Sequence, residues 1–322
     1  MSVLVYTENW DGKFKKQSFE LVSYASAVAG MMNTSLTALT IGKADGDELA
    51  RLANWGADKI LNVVSYDLTV FDSQAFTGII ADIAGKEGSK VIIFSNNITG
   101  KALAPRLSVR LKAGIGAGVS KLPLSVEPFT VYKRAYSGNA FAHLVINSDI
   151  KILTLAQNSF DLIEKPTGAV PQAVQAGIDG SSVRTTVTEK EQQSGKILLT
   201  DAEIVVSGGR GMKSPDNWGP LVELASLLNG ATACSRPVSD EGWRPHEEHT
   251  GQTGKMIAPN LYIAVGISGA TQHLAGVSSS KYIVAINNDK DAPIFEAAQY
   301  GIVGDAMKIL PKLVEAVKGI RK

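Results

Sequence analysis

At 322 residues the chain is long enough for about two domains, each with its own buried core, and needs no disulfide or metal staple to fold. Its 32 Lys and Arg against 31 Asp and Glu give a formal net charge of +1, which excludes the cationic excess that general nucleic-acid binding relies on. Hydrophobic residues make up 44% and charged residues 20%, with 31 Gly and 12 Pro, the balance of a folded globular protein and not of a disordered or collagen-like chain.

The first half alternates short β-branched runs with longer segments of helical period, the pattern of parallel strands joined by crossover helices. Strands are predicted over 3–6, 36–41, 59–63 and 90–94, and helices over 18–32, 47–54, 72–86 and 100–112. Beyond Gly118 the character changes. The runs 129–135, 140–146 and 151–155, separated by turns such as Tyr136-Ser137-Gly138-Asn139, predict an antiparallel addition. From 157 to 200 the sequence turns polar, with Pro166, Pro171 and Gly180-Ser181-Ser182, although Val183, Thr185 and Val187 alternate as one more strand would. The charged run from Glu189 to Gly195 predicts a solvated linker and a division into domains 1–190 and 191–322. After it the rhythm restarts, with strands over 204–206, 231–234, 261–265 and 282–286 and helices over 218–228, 270–275, 294–299 and 305–320. The expected fold class is α/β: two domains, each a mostly parallel sheet with flanking helices.

The single Cys234 cannot form an internal disulfide, which points to a reducing compartment and reads as a small buried strand residue. His246 and His249 form an H-x-x-H pair amid acids, without cysteine partners or the H-E-x-x-H order, and are expected in a solvated polar loop and not at a metal. No apolar run approaches the ~18 residues that a membrane span needs. The N-terminus enters strand-like sequence directly, without a basic leader, so a cytoplasmic address is expected. Trp218 and Trp243 read as packing or surface residues.

The second half is rich in glycine loops at predicted strand ends, where backbone amides can approach an anion. Ser207-Gly208-Gly209-Arg210-Gly211 follows one strand, Ser235-Arg236 the next, and Gly266-Ile267-Ser268-Gly269-Ala270 a third, where it opens a helix. Together they would offer amides, hydroxyls and a cation to a diphosphate-bearing cofactor. Two look-alikes fail. Gly251-Gln252-Thr253-Gly254-Lys255 is followed by Met256 where a P-loop has Ser or Thr, and Gly114-Ile115-Gly116-Ala117-Gly118 brings its third glycine one position early for a dinucleotide fingerprint.

From Val205 to Asp305 the sequence resembles the alpha (large) subunit of electron transfer flavoprotein. The resemblance is strongest in Val206-Ser207-Gly208-Gly209-Arg210-Gly211, in Gly251-Gln252-Thr253-Gly254-Lys255, and in the run from Leu261 through Gly269-Ala270 to Gln272-His273-Leu274-Ala275-Gly276. It extends more loosely over the first half, through Arg134-Ala135-Tyr136-Ser137-Gly138-Asn139-Ala140. Thr271, where the family more often has an apolar residue, and the loop Ser239-Asp240-Glu241-Gly242-Trp243 depart from its usual pattern.

The resemblance implies a heterodimeric carrier with one FAD, held mainly by the carboxy-terminal domain. The beta subunit would contact the amino-terminal domain and commonly carry an AMP. Such a carrier takes electrons from flavin dehydrogenases such as acyl-CoA dehydrogenases and passes them toward a membrane quinone oxidoreductase. Position by position, it implies that Arg210 and Ser268 meet the pyrophosphate beside Gly269 and Ala270, and that Asn287 and Asp305 hold the adenosine end. Asp305 reads equally well as the N-cap of the last helix. Ser235, Arg236, Gln252, Thr253 and His273 are implied around the isoalloxazine, with Thr253 near N5, His273 near the N1/O2 edge, and Thr271 and Gln272 completing the set.

A ring that takes up one electron needs positive charge and donors where the added charge collects, and Arg236 and His273 are expected to supply them. Thr253 joins them as a redox-tuning residue. Three alternatives stay open: a subunit of an electron-bifurcating flavoprotein that uses NADH, a nicotinamide-dependent oxidoreductase, and a cofactor-free interaction module. The oxidoreductase would need a proton-handling group at a substrate pocket, and the sequence offers no such constellation.

Overall fold

The computed structural model describes residues 1–64, 70–136, 140–175, 188–189 and 197–320. The chain divides into two compact units, Met1–Lys190 and Glu191–Lys322. The first contains β1 (Ser2–Tyr6), a short pair β2 (Asn9–Trp10) and β3 (Lys13–Phe14), α1 (Lys16–Met31), β4 (Ser35–Ile41), α2 (Gly46–Arg51), β5 (Lys59–Val63), α3 (Ser73–Lys86) and β6 (Ser89–Ser95). It continues with α4 (Ile98–Leu111), β7 (Gly114–Val119), β8 (Ser125–Val126), β9 (Phe129–Ala135), β10 (Ala140–Val145), β11 (Lys151–Leu155) and β12 (Pro171–Val174).

The sheet order is β10-β9-β7-β11-β6-β1-β4-β5-β12, with β8 paired to β9. From β7 to β12 the described pairings are parallel, and β8, β9 and β10 form an antiparallel ribbon at one end. Both faces are covered, which is why these strands read as unbroken apolar runs and not as alternation. Val3 and Val5 pack with Phe19, Val22 and Ala25 of α1, while Leu4 and Tyr6 point the other way, toward Phe76 and Ile80 of α3 and Leu103 of α4. The helix starts are chemically marked: Asp72 Oδ1 accepts from the Gln74 and Ala75 amides at 2.8 and 2.9 Å, and Asn97 Oδ1 from the Gly100 amide at 2.9 Å.

One expectation changes, and two further features go beyond the sequence reading. The run Lys151–Leu155 is not part of the antiparallel addition; it lies between β6 and β7, parallel to both. Its Ile-Leu-Thr-Leu core is buried on both faces, the signature of a central parallel strand, whereas the turns before it suggested a meander. The glycine run 114–118 is the strand β7. A Cβ on Gly114 would stand 2.6 Å from Ile146 Cγ2, so these glycines serve close packing. The polar stretch after Gln157 contributes an unforeseen edge strand, β12, with Pro171 first, where no ladder donor is missed. The expected strand at Val183, Thr185 and Val187 lies outside the described residues, as do the glycine-serine turn at 180–182 and the expected linker apart from Glu189.

The second unit contains β13 (Ile204–Gly208), α5 (Gly219–Leu227), β14 (Ala231–Cys234), α6 (Arg236–Asp240), β15 (Leu261–Val265), α7 (Thr271–Val277), β16 (Tyr282–Asn287), α8 (Ile294–Ala297), β17 (Tyr300–Val303) and α9 (Ala306–Ile320). All five strands are parallel in the order β14-β13-β15-β16-β17. Val206 and Val265 pack with Leu221 and Leu224 of α5 and Leu310 and Val314 of α9, and the buried Trp218 joins them. Val205, Tyr262 and Ala264 face the opposite layer, with Val277 of α7 and Ile294 of α8. Strand β17 had no periodic signal because all four of its residues are exposed at the sheet edge.

Candidate cofactor-binding site

In the second unit the chain runs from β13 outward to β14 and then returns to β15 on the other side of β13. That reversal puts the carboxyl ends of β13 and β15 at the switch point where open parallel sheets take ligands. The two glycine loops are laced together there. The Gly209 amide donates to the Val265 carbonyl at 2.9 Å and the Gly211 amide to the Gly266 carbonyl at 3.0 Å. A Cβ on Gly209 would sit 2.2 Å from Gly266 O, and Gly266 has φ +61 with Gly211 Cα 2.7 Å from its own Cβ position. Only glycine allows that approach. Arg210 is held between the two laced glycines with its side chain exposed.

At the end of β14, the Ser235 amide donates to Gly208 O at 3.0 Å, so Ser235 and Arg236 stand beside that crossing. Ser235 is buried, while Arg236 is exposed and pairs with Asp240 Oδ2 at 3.3 Å. The loop 251–254 comes to the same place by two attachments. The Thr250 amide donates to Cys234 O at 3.0 Å, and the Gln252 amide to Gln272 O at 2.8 Å. The exposed Gln252 and Thr253 thus lie beside Thr271 and Gln272 at the start of α7.

The segment 246–250 corrects the expectation of a solvated loop. Arg244 grips Glu248 through two nitrogens, at 2.8 and 2.6 Å, and draws the following residues against β14. His246 stays exposed, but His249 and Thr250 are buried. Burial, with the neighbouring His246 next, lowers the His249 pKa. Cys234 is fully buried as expected, and burial pushes its thiol up to about 12.

His273 faces inward from α7, 8% exposed, with its Nε2 2.8 Å from the hydroxyl of the fully buried Tyr262. Burial first, then the nearby His249, pushes its pKa down to about 4. The imidazole is therefore neutral near pH 7, which corrects the expectation that it supplies positive charge; it enters the site as a hydrogen-bonding group. Its Nδ1 is buried with no hydrogen-bond partner among the described residues. The Thr250 backbone acts the other way, favouring the protonated ring.

Farther along the edge, Ser268 is exposed on the loop after β15, and Gly269, at φ +87, packs so closely that its Cβ would meet Ile294 N at 2.3 Å. Ala270 accepts from the amides of His273 and Leu274 at 2.8 and 3.0 Å. The Asn287 side chain is used internally: its Nδ2 donates to Ile267 O at 2.9 Å and its Oδ1 accepts from Asp289 N at 3.0 Å. Asp305 is the N-cap of α9, accepting from Met307 N at 3.0 Å, and its second oxygen pairs with Lys213 Nζ at 3.3 Å. The Met307 amide and then Lys213 hold its carboxyl below the usual range.

Sequence reading missed Tyr262, which looks like any core residue of an apolar strand, and Lys213, whose link to Asp305 spans 92 positions. No described helix is long and apolar enough to cross a membrane, and no group of three His, Cys, Asp or Glu among the described residues suits a metal ion.

The first sheet also reverses, between β1 and β6, in a cleft lined by Tyr6, Glu8, Trp10, Lys15 and Asn97. There the Glu8 carboxylate accepts from Asn97 Nδ2 at 2.6 Å and Thr99 Oγ1 at 2.8 Å. The chain supplies its own anion at that helix start, which disfavours a phosphate. The second sheet presents Arg210, Lys213 and Arg236 instead.

The family model for the electron transfer flavoprotein domain matches residues 3–183, and that for the electron transfer flavoprotein FAD-binding domain matches residues 198–278. The chain belongs to the electron transfer flavoprotein alpha-subunit family. It is 33% identical over 317 residues to the electron transfer flavoprotein subunit alpha of Bacillus subtilis (strain 168), covering 98% of this chain and 97% of the relative. It is 35% identical over 321 residues to that of Pseudomonas aeruginosa, covering 98% and 100%, and 36% identical over 303 residues to Protein FixB of an Escherichia coli strain, covering 92% and 94%. Within this alpha-family chain, every implied site residue except Asn287 and Asp305 falls inside the FAD-binding match.

Proposed function

We propose that the chain holds one FAD lengthwise along the carboxyl edge of its second sheet and, paired with a beta subunit, relays single electrons between protein partners. The donors are flavin dehydrogenases such as acyl-CoA dehydrogenases, and the acceptor is a membrane quinone oxidoreductase. The chain works as a carrier, not as an enzyme with its own small substrate, and resides in the cytoplasm. Residues 1–190 contact the beta subunit, which carries an AMP, and residues 191–322 form the FAD-binding domain.

The observation that carries this reading is the order of polar groups along the edge. Ser235 and Arg236 follow β14, Arg210 follows β13, Ser268 to Ala270 follow β15, Asn287 ends β16, and Asp305 follows β17. Five strands spaced about 4.8 Å apart span about 19 Å, enough for an extended dinucleotide. The partnerless His273 Nδ1 supports it too, since a buried polar nitrogen needs a partner from somewhere.

In this reading Arg210, with Ser268 and the Gly269 and Ala270 amides, binds the pyrophosphate, and Asp305 and Lys213 serve the adenosine end. Asn287 acts there by bracing Ile267 and Asp289. Ser235, Arg236, Gln252, Thr253, Thr271, Gln272 and His273 surround the ring. When bound, FAD supplies an isoalloxazine that takes up and gives out electrons one at a time. Arg236 contributes a fixed positive charge beside it, and His273 a neutral donor.

Co-expression with the beta subunit, followed by an absorbance spectrum and a cofactor assay, tests the reading. One FAD per yellow heterodimer is expected. Two flavins per heterodimer point to an electron-bifurcating form that uses NADH, and turnover of a small substrate without a protein partner points to a nicotinamide-dependent oxidoreductase. A colourless complex overturns the reading.

A further inference from the structure

Under the ring end of the edge lies a buried polar cluster drawn from separate elements: Ser207 from β13, Thr250 beside β14, Tyr262 from β15 and His273 from α7. Its central contact is the 2.8 Å hydrogen bond between the Tyr262 hydroxyl and His273 Nε2. Burial raises the Tyr262 pKa far above its ordinary value, so the phenol keeps its proton. A buried hydroxyl proton needs an acceptor. The Ser207 and Thr250 hydroxyls also lie near the phenol, but Thr250 Oγ1 donates to the Cys234 carbonyl at 3.2 Å, and the short contact of the phenol, at 2.8 Å, is with Nε2. A neutral imidazole has one donor and one acceptor nitrogen, so accepting at Nε2 puts its proton on Nδ1. That nitrogen has no partner among the described residues.

We propose that Tyr262 is a positioning residue for His273: its buried hydroxyl donates to Nε2, fixes the ring as the Nδ1–H tautomer, and leaves that N–H as the donor offered to the cofactor. Two consequences separate this from mere packing. The ring is oriented before any ligand arrives, so the donor costs no reorganisation. The donor is also uncharged, so it favours added negative charge on the ring without placing a second cation next to Arg236. The inference rests on the FAD reading for its purpose, but the tautomer itself is a property of this chain alone.

The test is the nitrogen NMR spectrum of ring-labelled histidine in the complex with the beta subunit, recorded with and without FAD, with the His273 signals assigned by His273→Gln. Wild-type protein at pH 7 is expected to show a protonated Nδ1 and a bare Nε2 in both forms. Tyr262→Phe, which removes one oxygen, is expected to give a mixture of tautomers. It should also weaken the preference for the one-electron-reduced over the oxidised cofactor by about tenfold, equivalent to about 59 mV in the first potential. A wild-type ring protonated on Nε2, a doubly protonated ring, or a tautomer unmoved by Tyr262→Phe overturns the proposal. The wild-type tautomer is read without Tyr262→Phe, so poor folding of that variant does not rescue the proposal. Failure to bind FAD overturns the cofactor reading separately, since the nitrogen signals are read equally well without it.

Discussion

Gly276 of α7 rests directly on Gly251: a β-carbon at Gly276 would stand 2.5 Å from Gly251 Cα. The loop carrying Gln252 and Thr253 is therefore seated on the same helix that carries Gln272 and His273. Gly276→Ala must push that loop away. Overpacking of this kind costs about 1–3 kcal/mol. The variant is expected to melt lower and to lose FAD during purification, measured by thermal unfolding and the ratio of flavin to protein absorbance; full retention of FAD would show that the seat is not needed.

Arg236 is exposed and its one described ion pair, with Asp240, is a surface contact of small energetic worth. Arg236→Ala is expected to leave the fold intact. A charge-assisted hydrogen bond is worth roughly 1.5–3 kcal/mol, and at about 59 mV per tenfold its loss lowers the first one-electron potential by roughly 60–130 mV. Spectroelectrochemical titration checks this, and an unchanged potential would remove Arg236 from the ring.

Asp305 has two separable jobs, capping α9 and pairing with Lys213. Asparagine keeps the first and loses the second, since Asn caps as well as Asp. Asp305→Asn is expected to leave thermal stability nearly unchanged while FAD dissociates about tenfold more readily, measured by equilibrium dialysis of the complex. A drop in stability with unaltered FAD affinity would leave only the capping role.

His273 fixes a pH dependence with a definite sign. Its pKa falls from 6.5 in the unfolded chain to about 4 in the fold, so the unfolded state binds the proton first. Stability is whole above pH 6.5 and is lost as pH falls toward 4, by about 3 kcal/mol for this group. Hydrogen exchange of β15 amides between pH 7.5 and 4.5 should show a steeper loss for wild type than for His273→Gln. Parallel slopes would mean that the ring is not buried neutral.

Glu8 closes the cleft of the first sheet by gripping Asn97 and Thr99. Glu8→Ala is expected to destabilise the first unit by about 1–3 kcal/mol and to leave the FAD content of the complex unchanged. A loss of FAD equal to that of Gly276→Ala would contradict the assignment of the cofactor to the second sheet.

The sequence alone determined where most strands and helices lie, because runs buried on both faces and helices with one apolar side leave a periodic record in neighbouring residues. It also determined the glycine loops of the second half and, through resemblance, the family. What it could not determine were relations between distant residues. Lys151–Leu155 reads as a strand from its own side chains, but its partners, β6 and β7, are chosen by the packing of the whole sheet. Gly114 sits in a run that superficially resembles a dinucleotide fingerprint, and only the fold shows Ile146 and Ser148 filling the space its side chain would need. His249 looks solvated until the Arg244–Glu248 pair draws it under β14. The charge state of His273 depends on water excluded by Tyr262, Thr250 and His249, and desolvation is a property of three-dimensional surroundings that no local pattern records.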